Sequence, residues 1–61
     1  MFTEENKKEF DKGIKSLLDE HGIPKNTESY QDYERAKRIL PVMPWYLYNR
    51  AIRLICRRVG I

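Results

Sequence analysis

The sequence predicts an all-α protein, a compact three-helix bundle in which residues 1–61 form a single small helical domain. Apolar residues recur at helical spacing in three segments. Two proline-containing turns, one at Pro24 and one from Pro41 to Pro44, separate these segments. The chain has one cysteine and one histidine, so an internal disulfide and a Cys/His zinc site are both excluded. A domain of about 60 residues buries only about 60% of the surface that its unfolded chain exposes. Helix packing, a partner or both must therefore stabilise it.

The first helix is predicted over residues 4–20. Thr3 suits the N-cap, and the acidic residues that follow it lie where the helix dipole favours them. Gly22 and Ile23 fit the two positions beyond the C-cap, with Ile23 contacting Leu18 as in a Schellman motif. The apolar stripe consists of Phe10, Ile14, Leu17 and Leu18.

One local rule is broken at the end of this helix. Asp19 and Glu20 lie in its last turn, where the helix dipole disfavours acids. A basic residue from the third helix is expected to cover them.

The second helix is predicted over residues 28–39. Thr27 or Ser29 can cap it, and Pro41 ends it by forcing an extended geometry on the preceding residue. Its apolar side consists of Tyr30, Tyr33, Ala36, Ile39 and Leu40.

The third helix is predicted over residues 44–59, with Pro44 at its first position and Gly60 just beyond its end. One arc of this helix is apolar and is assigned to the core. That arc holds Trp45, Tyr48, Ala51, Ile52, Ile55, Cys56 and Val59.

The charges are divided unevenly along the chain. Residues 1–34 carry five lysines and all nine acids, which gives −4, whereas residues 35–61 carry seven cations and no acid, which gives +7. Two interpretations remain open. The basic part binds an anionic partner, or the acidic first helix packs against the basic third helix within a monomer or across a homodimer.

Binding of a polyanion, most plausibly nucleic acid, is the first functional hypothesis. Tyr46, Arg50, Arg53 and Arg57 have the i, i+4, i+7, i+11 spacing that places them along one helix face. Such a face can meet phosphates or read guanine in a major groove. The full predicted set spans the second and third helices and comprises Arg35, Lys37, Arg38, Tyr46, Arg50, Arg53, Arg57 and Arg58.

The alternative hypothesis is a protein inhibitor or adaptor that docks on the acidic surface of a larger protein. Trp, Tyr and Arg are enriched among interface hot spots. The third helix also has more apolar surface than a minimal bundle needs. The predicted interface comprises Trp45, Tyr46, Leu47 and Leu54.

Catalysis is not expected, because the single histidine, His21, lies far along the sequence from every candidate nucleophile. The three glycines are isolated, so no phosphate-binding loop is predicted, and no cofactor, metal or small-molecule substrate is expected. Attachment to a membrane surface is disfavoured because the core needs the apolar arc of the third helix. The absence of an apolar leader and the single cysteine favour the cytoplasm.

Overall fold

The structure, a computed structural model, describes residues 3–61, which form three α-helices. These are α1 (Glu4–Glu20), α2 (Tyr30–Arg38) and α3 (Trp45–Val59). The predicted all-α, three-helix architecture is confirmed. The molecule measures 34 × 19 × 18 Å along its principal axes, so it is elongated along the helices.

The core lies along one side of α3, which packs against both other helices. Ala51, Ile55 and Val59 are fully buried on that side, at the four-residue spacing of one helix face. The remaining buried residues are Ile14 and Leu18 of α1, Ile23 of the following loop and Ala36 of α2. The third helix therefore holds the bundle together.

The helices α1 and α3 run parallel to each other. Asp11 pairs with Arg50, and Asp19 pairs with Arg58. The two acids and the two arginines are each separated by the same stretch of helix. The helix α2 runs in the opposite direction to α3. It starts beside the end of α3, where the backbone N–H of Glu28, just before α2, donates to the carbonyl of Val59 (2.8 Å).

Both predicted ends of α1 are confirmed. The hydroxyl of Thr3 accepts a hydrogen bond from the backbone N–H of Asn6 (3.2 Å). At the other end, the N–H of Ile23 donates to the carbonyl of Leu18 (3.0 Å), and Gly22 has a left-handed backbone with φ +66°. This is the Schellman arrangement, in which the residue after the glycine packs back onto the helix.

The predicted start of α2 at residue 28 is wrong by two residues. Glu28 has φ +53° and Asn26 has φ +56°, neither of which is right-handed helical. Their backbone N–H groups donate to the end of α3, with Asn26 bonded to the carbonyl of Arg58 (2.7 Å). The helix therefore begins only after Ser29, whose hydroxyl accepts from the N–H of Asp32 (3.4 Å).

Two details of α3 also differ from the prediction. Pro44 is the N-cap, with ψ 152°, and the helix starts one residue later. Trp45 was assigned to the core arc, but 75% of its surface is exposed. The first turn of α3 precedes the buried positions of this helix, which begin at Ala51. The apolar arc therefore extends further along the helix than the part that the other helices cover.

Two glycines, one within α1 and one just beyond its end, provide a matched test of this fold. Gly13 lies within the helix and Gly22 has a positive φ, and a Cβ at either position would have no neighbour within 4 Å. Only backbone preference therefore separates the two substitutions. Gly13→Ala is expected to stabilise the chain by about 1 kcal/mol, and Gly22→Ala to destabilise it by about 1–2 kcal/mol. Urea denaturation followed by circular dichroism measures both effects, and the same sign for both would contradict this description of the helix end.

Candidate functional site

A groove of about 420 Å³ lies between α1 and α3. Its apolar lining consists of Ile14 and Leu18 from α1 and Leu54 from α3. Ile14 and Leu18 belong to the buried core, and Leu54 packs against that core while remaining partly exposed. The groove therefore reaches the edge of the hydrophobic core.

Cations surround this apolar lining. Lys12 and Lys15 come from α1, Lys25 from the loop that follows it, and Arg57 from α3. All four are exposed, and none of them forms an ion pair with another residue in the range 3–61. The groove thus combines an apolar floor with a rim of cations that form no ion pairs within residues 3–61.

Asp11, the acid that lines the groove, is paired with an arginine of α3. Arg50 donates from Nε and Nη2 to the two carboxylate oxygens of Asp11, each at 2.8 Å. This hydrogen bonding to Asp11 raises the pKa of the Arg50 guanidinium, which stays charged in any case. The bidentate geometry fixes α1 against α3 and leaves Asp11 little capacity to repel an anionic partner.

Arg58 has a structural position although it lines the same groove. Its Nε and Nη2 donate to the carbonyl of Ile23 (2.8 and 2.6 Å), and Nη2 lies 2.7 Å from Asp19. Only 11% of its side chain is exposed. The expectation that a basic residue of the third helix covers the acids at the end of α1 is thereby confirmed for Asp19, whereas Glu20 is exposed.

The cations of α2 are partly balanced on their own helix. Arg35 pairs with Asp32 (3.7 Å), and Lys37 pairs with Glu34 (3.3 Å). The hydrogen bond to Glu34 raises the pKa of Lys37, whose Nζ also lies 4.9 Å from the centre of the Tyr33 ring. Burial raises the pKa of Tyr33.

The predicted polyanion-binding set is therefore divided into two groups. The first group is held in ion pairs within the chain and consists of Arg35, Lys37, Arg50 and Arg58. The second group has no ion pair within residues 3–61 and consists of Arg38, Arg53 and Arg57, all of which are exposed. Tyr46, the eighth member, is 61% exposed. Packing of the acidic α1 against the basic α3 is thus observed at Arg50 and Arg58. Binding of an anionic partner by the exposed arginines stays a prediction.

The four residues of the alternative protein interface differ in their exposure. Trp45 and Tyr46 project from the first turn of α3 and are largely exposed. Leu47 and Leu54 are half-buried, and Leu54 forms part of the groove floor. Leu54 therefore contributes to the core as well as to the groove.

Sequence reasoning missed the three lysines of the groove. Lys12 and Lys15, together with Lys8, have the i, i+4, i+7 spacing of one helix face, which could have marked a basic stripe on α1. Lys25 gave no such signal, because it lies outside the helices, in the loop after α1, and only the path of that loop places it at the groove.

Other kinds of site find little support in residues 3–61. No three His, Cys, Asp or Glu side chains in that range cluster so that they could hold a metal ion. None of the helices described there has the length and apolar character needed to cross a bilayer. Cys56 is half-buried and forms no disulfide.

No protein-family model matches the chain, and neither the curated proteins nor the solved structures contain a significant match to it. The residues of the groove and their geometry are therefore the basis for the functional proposal.

Proposed function

We propose that this chain is a small non-enzymatic regulator, of the inhibitor or adaptor type, that binds an acidic partner protein through α3 and its groove with α1. The observation that carries the proposal is a set of cations that form no ion pair within residues 3–61 and lie around an apolar floor. Apolar contact gives affinity, and charges at the edge steer association and select the partner.

The separation of structural from available cations supports this proposal. Arg50 pairs with Asp11, which lines the groove, and Arg58 pairs with Asp19. Arg57 is exposed and lies on the groove rim. A partner's carboxylates would then meet cations that need not first break an internal ion pair.

Nucleic-acid binding is a second candidate, which the solvent-facing side of α3 favours. Arg53 and Arg57 lie one turn apart on that side and are both exposed. Exposed arginines at this spacing suit contacts with successive phosphates. An apolar floor, however, adds nothing to phosphate recognition, which places this candidate second.

A co-purification experiment tests the two candidates together. Tagged protein is incubated at about 50 mM salt with extract of the cells that make it, with and without nuclease. We expect one protein to be recovered in a stoichiometric amount, whether or not nuclease is present. Recovery should be lost with Arg57→Glu and retained with Arg38→Glu. The second variant makes the same change of charge at an exposed arginine of α2 that has no ion pair in the described part of the chain.

Two other results would contradict the first candidate. Recovery of nucleic acid alone, falling steeply as salt rises, would favour the second candidate in its place. Recovery of neither a protein nor nucleic acid at low salt would contradict both candidates.

A further inference from the structure

We propose that the α1/α3 groove is a docking site for a short acidic amphipathic helix of the partner protein, an inference that rests on the proposed function. The occupant presents two or three apolar anchors to the groove and carries carboxylates on both flanks. Such helix-in-groove recognition uses anchors at the i, i+3, i+4 and i+7 positions.

The size of the groove fits a helix of about two turns. On α1 the lining extends from Asp11 to Leu18. Seven residues of rise between them correspond to about 10 Å, which is close to two turns of a second helix laid alongside. Leu54 lines the same stretch from α3, so anchors from successive turns of the ligand would meet apolar side chains on both walls.

The charges of the groove select acidic flanks. Lys12 and Lys15 stand on the α1 side, Arg57 on the α3 side, and Lys25 on the loop after α1. Asp11, the single acid in the lining, is held by Arg50 at 2.8 Å. A ligand helix with Asp or Glu beside its apolar stripe is therefore complementary on both flanks, whereas a basic helix would be repelled.

A second copy of this chain is a poor occupant. On α1 and α2, Ile14, Leu18 and Ala36 are buried in its own core. The exposed Tyr30 lies on α2, which carries two acids and three cations. The exposed apolar residues at the start of α3 include Trp45. The charged residues of this helix are all arginines, so it is basic and not acidic. Within residues 3–61, a copy of this chain thus offers no helix that has both a net negative charge and a large exposed apolar side chain.

A synthetic peptide of about 18 residues with blocked ends, long enough to form a helix, serves as the probe. This acidic helix peptide has leucine at i, i+3, i+4 and i+7 and glutamate and alanine elsewhere. The scrambled peptide has the same composition, but its leucines are spread around the helix. Fluorescence anisotropy measures the binding of each labelled peptide to the full chain, and a labelled duplex DNA is measured in parallel.

We expect the acidic helix peptide to bind at least about tenfold more tightly than the scrambled peptide, because only the former presents an apolar face. Arg57→Glu should weaken its binding about tenfold, since a close charge pair becomes a repulsion. Arg38→Glu should change the affinity by less than about twofold. Both substitutions are at exposed positions, and circular dichroism confirms that each variant is folded.

Equal affinity for the two peptides, or equal weakening by the two substitutions, would overturn the groove inference while leaving binding of anions by the basic surface intact. Binding of the duplex DNA with no binding of either peptide would overturn the inference and favour the nucleic-acid candidate. Binding of none of the three probes would contradict the proposed function itself.

Discussion

The substitution Ile55→Ala is expected to leave most of the chain unfolded at room temperature. Ile55 has no exposed surface and lies midway along the buried face of α3, between Ala51 and Val59. Truncating a buried isoleucine to alanine costs about 2–5 kcal/mol, because apolar contacts are lost and a cavity is left. A single core in a chain this short supplies only about 3–5 kcal/mol in total, so the loss is comparable to the whole stability.

Thermal unfolding followed by the far-ultraviolet circular dichroism of the helices measures this effect. Val42→Ala is the matched control, since Val42 is fully exposed and its truncation removes no packing. We expect the control to melt with the wild-type chain. An Ile55→Ala variant that melts within about 5 °C of the wild type would show that the stability does not depend on this core.

Substitution by glutamine is expected to lower the unfolding free energy at Arg58 and to leave it nearly unchanged at Arg57. Arg58→Gln removes the guanidinium that donates two hydrogen bonds to the carbonyl of Ile23 and pairs with Asp19. Ile23 is buried just after α1, so the end of α1 loses one of its attachments to α3. A destabilisation of about 2–3 kcal/mol is expected, as for hydrogen bonds that involve a charged group.

Arg57→Gln removes an exposed guanidinium that forms no ion pair within residues 3–61, so the unfolding free energy should change by less than about 0.5 kcal/mol. Urea denaturation of the two variants measures the difference. Partner binding should be reduced by the Arg57 substitution although the stability of the chain is nearly unchanged. Equal destabilisation by the two variants would contradict the division of the arginines into structural and available groups.

The local features of the fold could be predicted because each depends on a few adjacent residues. The N-cap at Thr3 and the Schellman turn at Gly22 are set by side-chain chemistry and by the conformational freedom of glycine. The left-handed Glu28 could not be predicted, since its N–H is bonded to Val59, which lies far along the chain. Trp45 was misplaced because periodicity identifies an apolar arc but not the length over which neighbours cover it.

The candidate site was predictable only in part. The charge asymmetry identified α3 as the basic element, and exposed Arg53 and Arg57 agree with that reading. Which arginine pairs with which acid depends on the parallel packing of α1 and α3, since Asp11 and Arg50 are 39 residues apart. The same packing creates the groove and brings Lys25 to it, so no spacing within one helix could show the site.

The central claim is that an acidic partner occupies the groove between α1 and α3, and a chemical-shift map tests it most directly. The isotope-labelled chain is titrated with the acidic helix peptide, and the backbone amide shifts are followed residue by residue. We predict that the largest changes lie along the groove, at Lys12, Lys15, Leu54 and Arg57. Changes confined to residues 42–46, or spread evenly over all exposed cations, would contradict it.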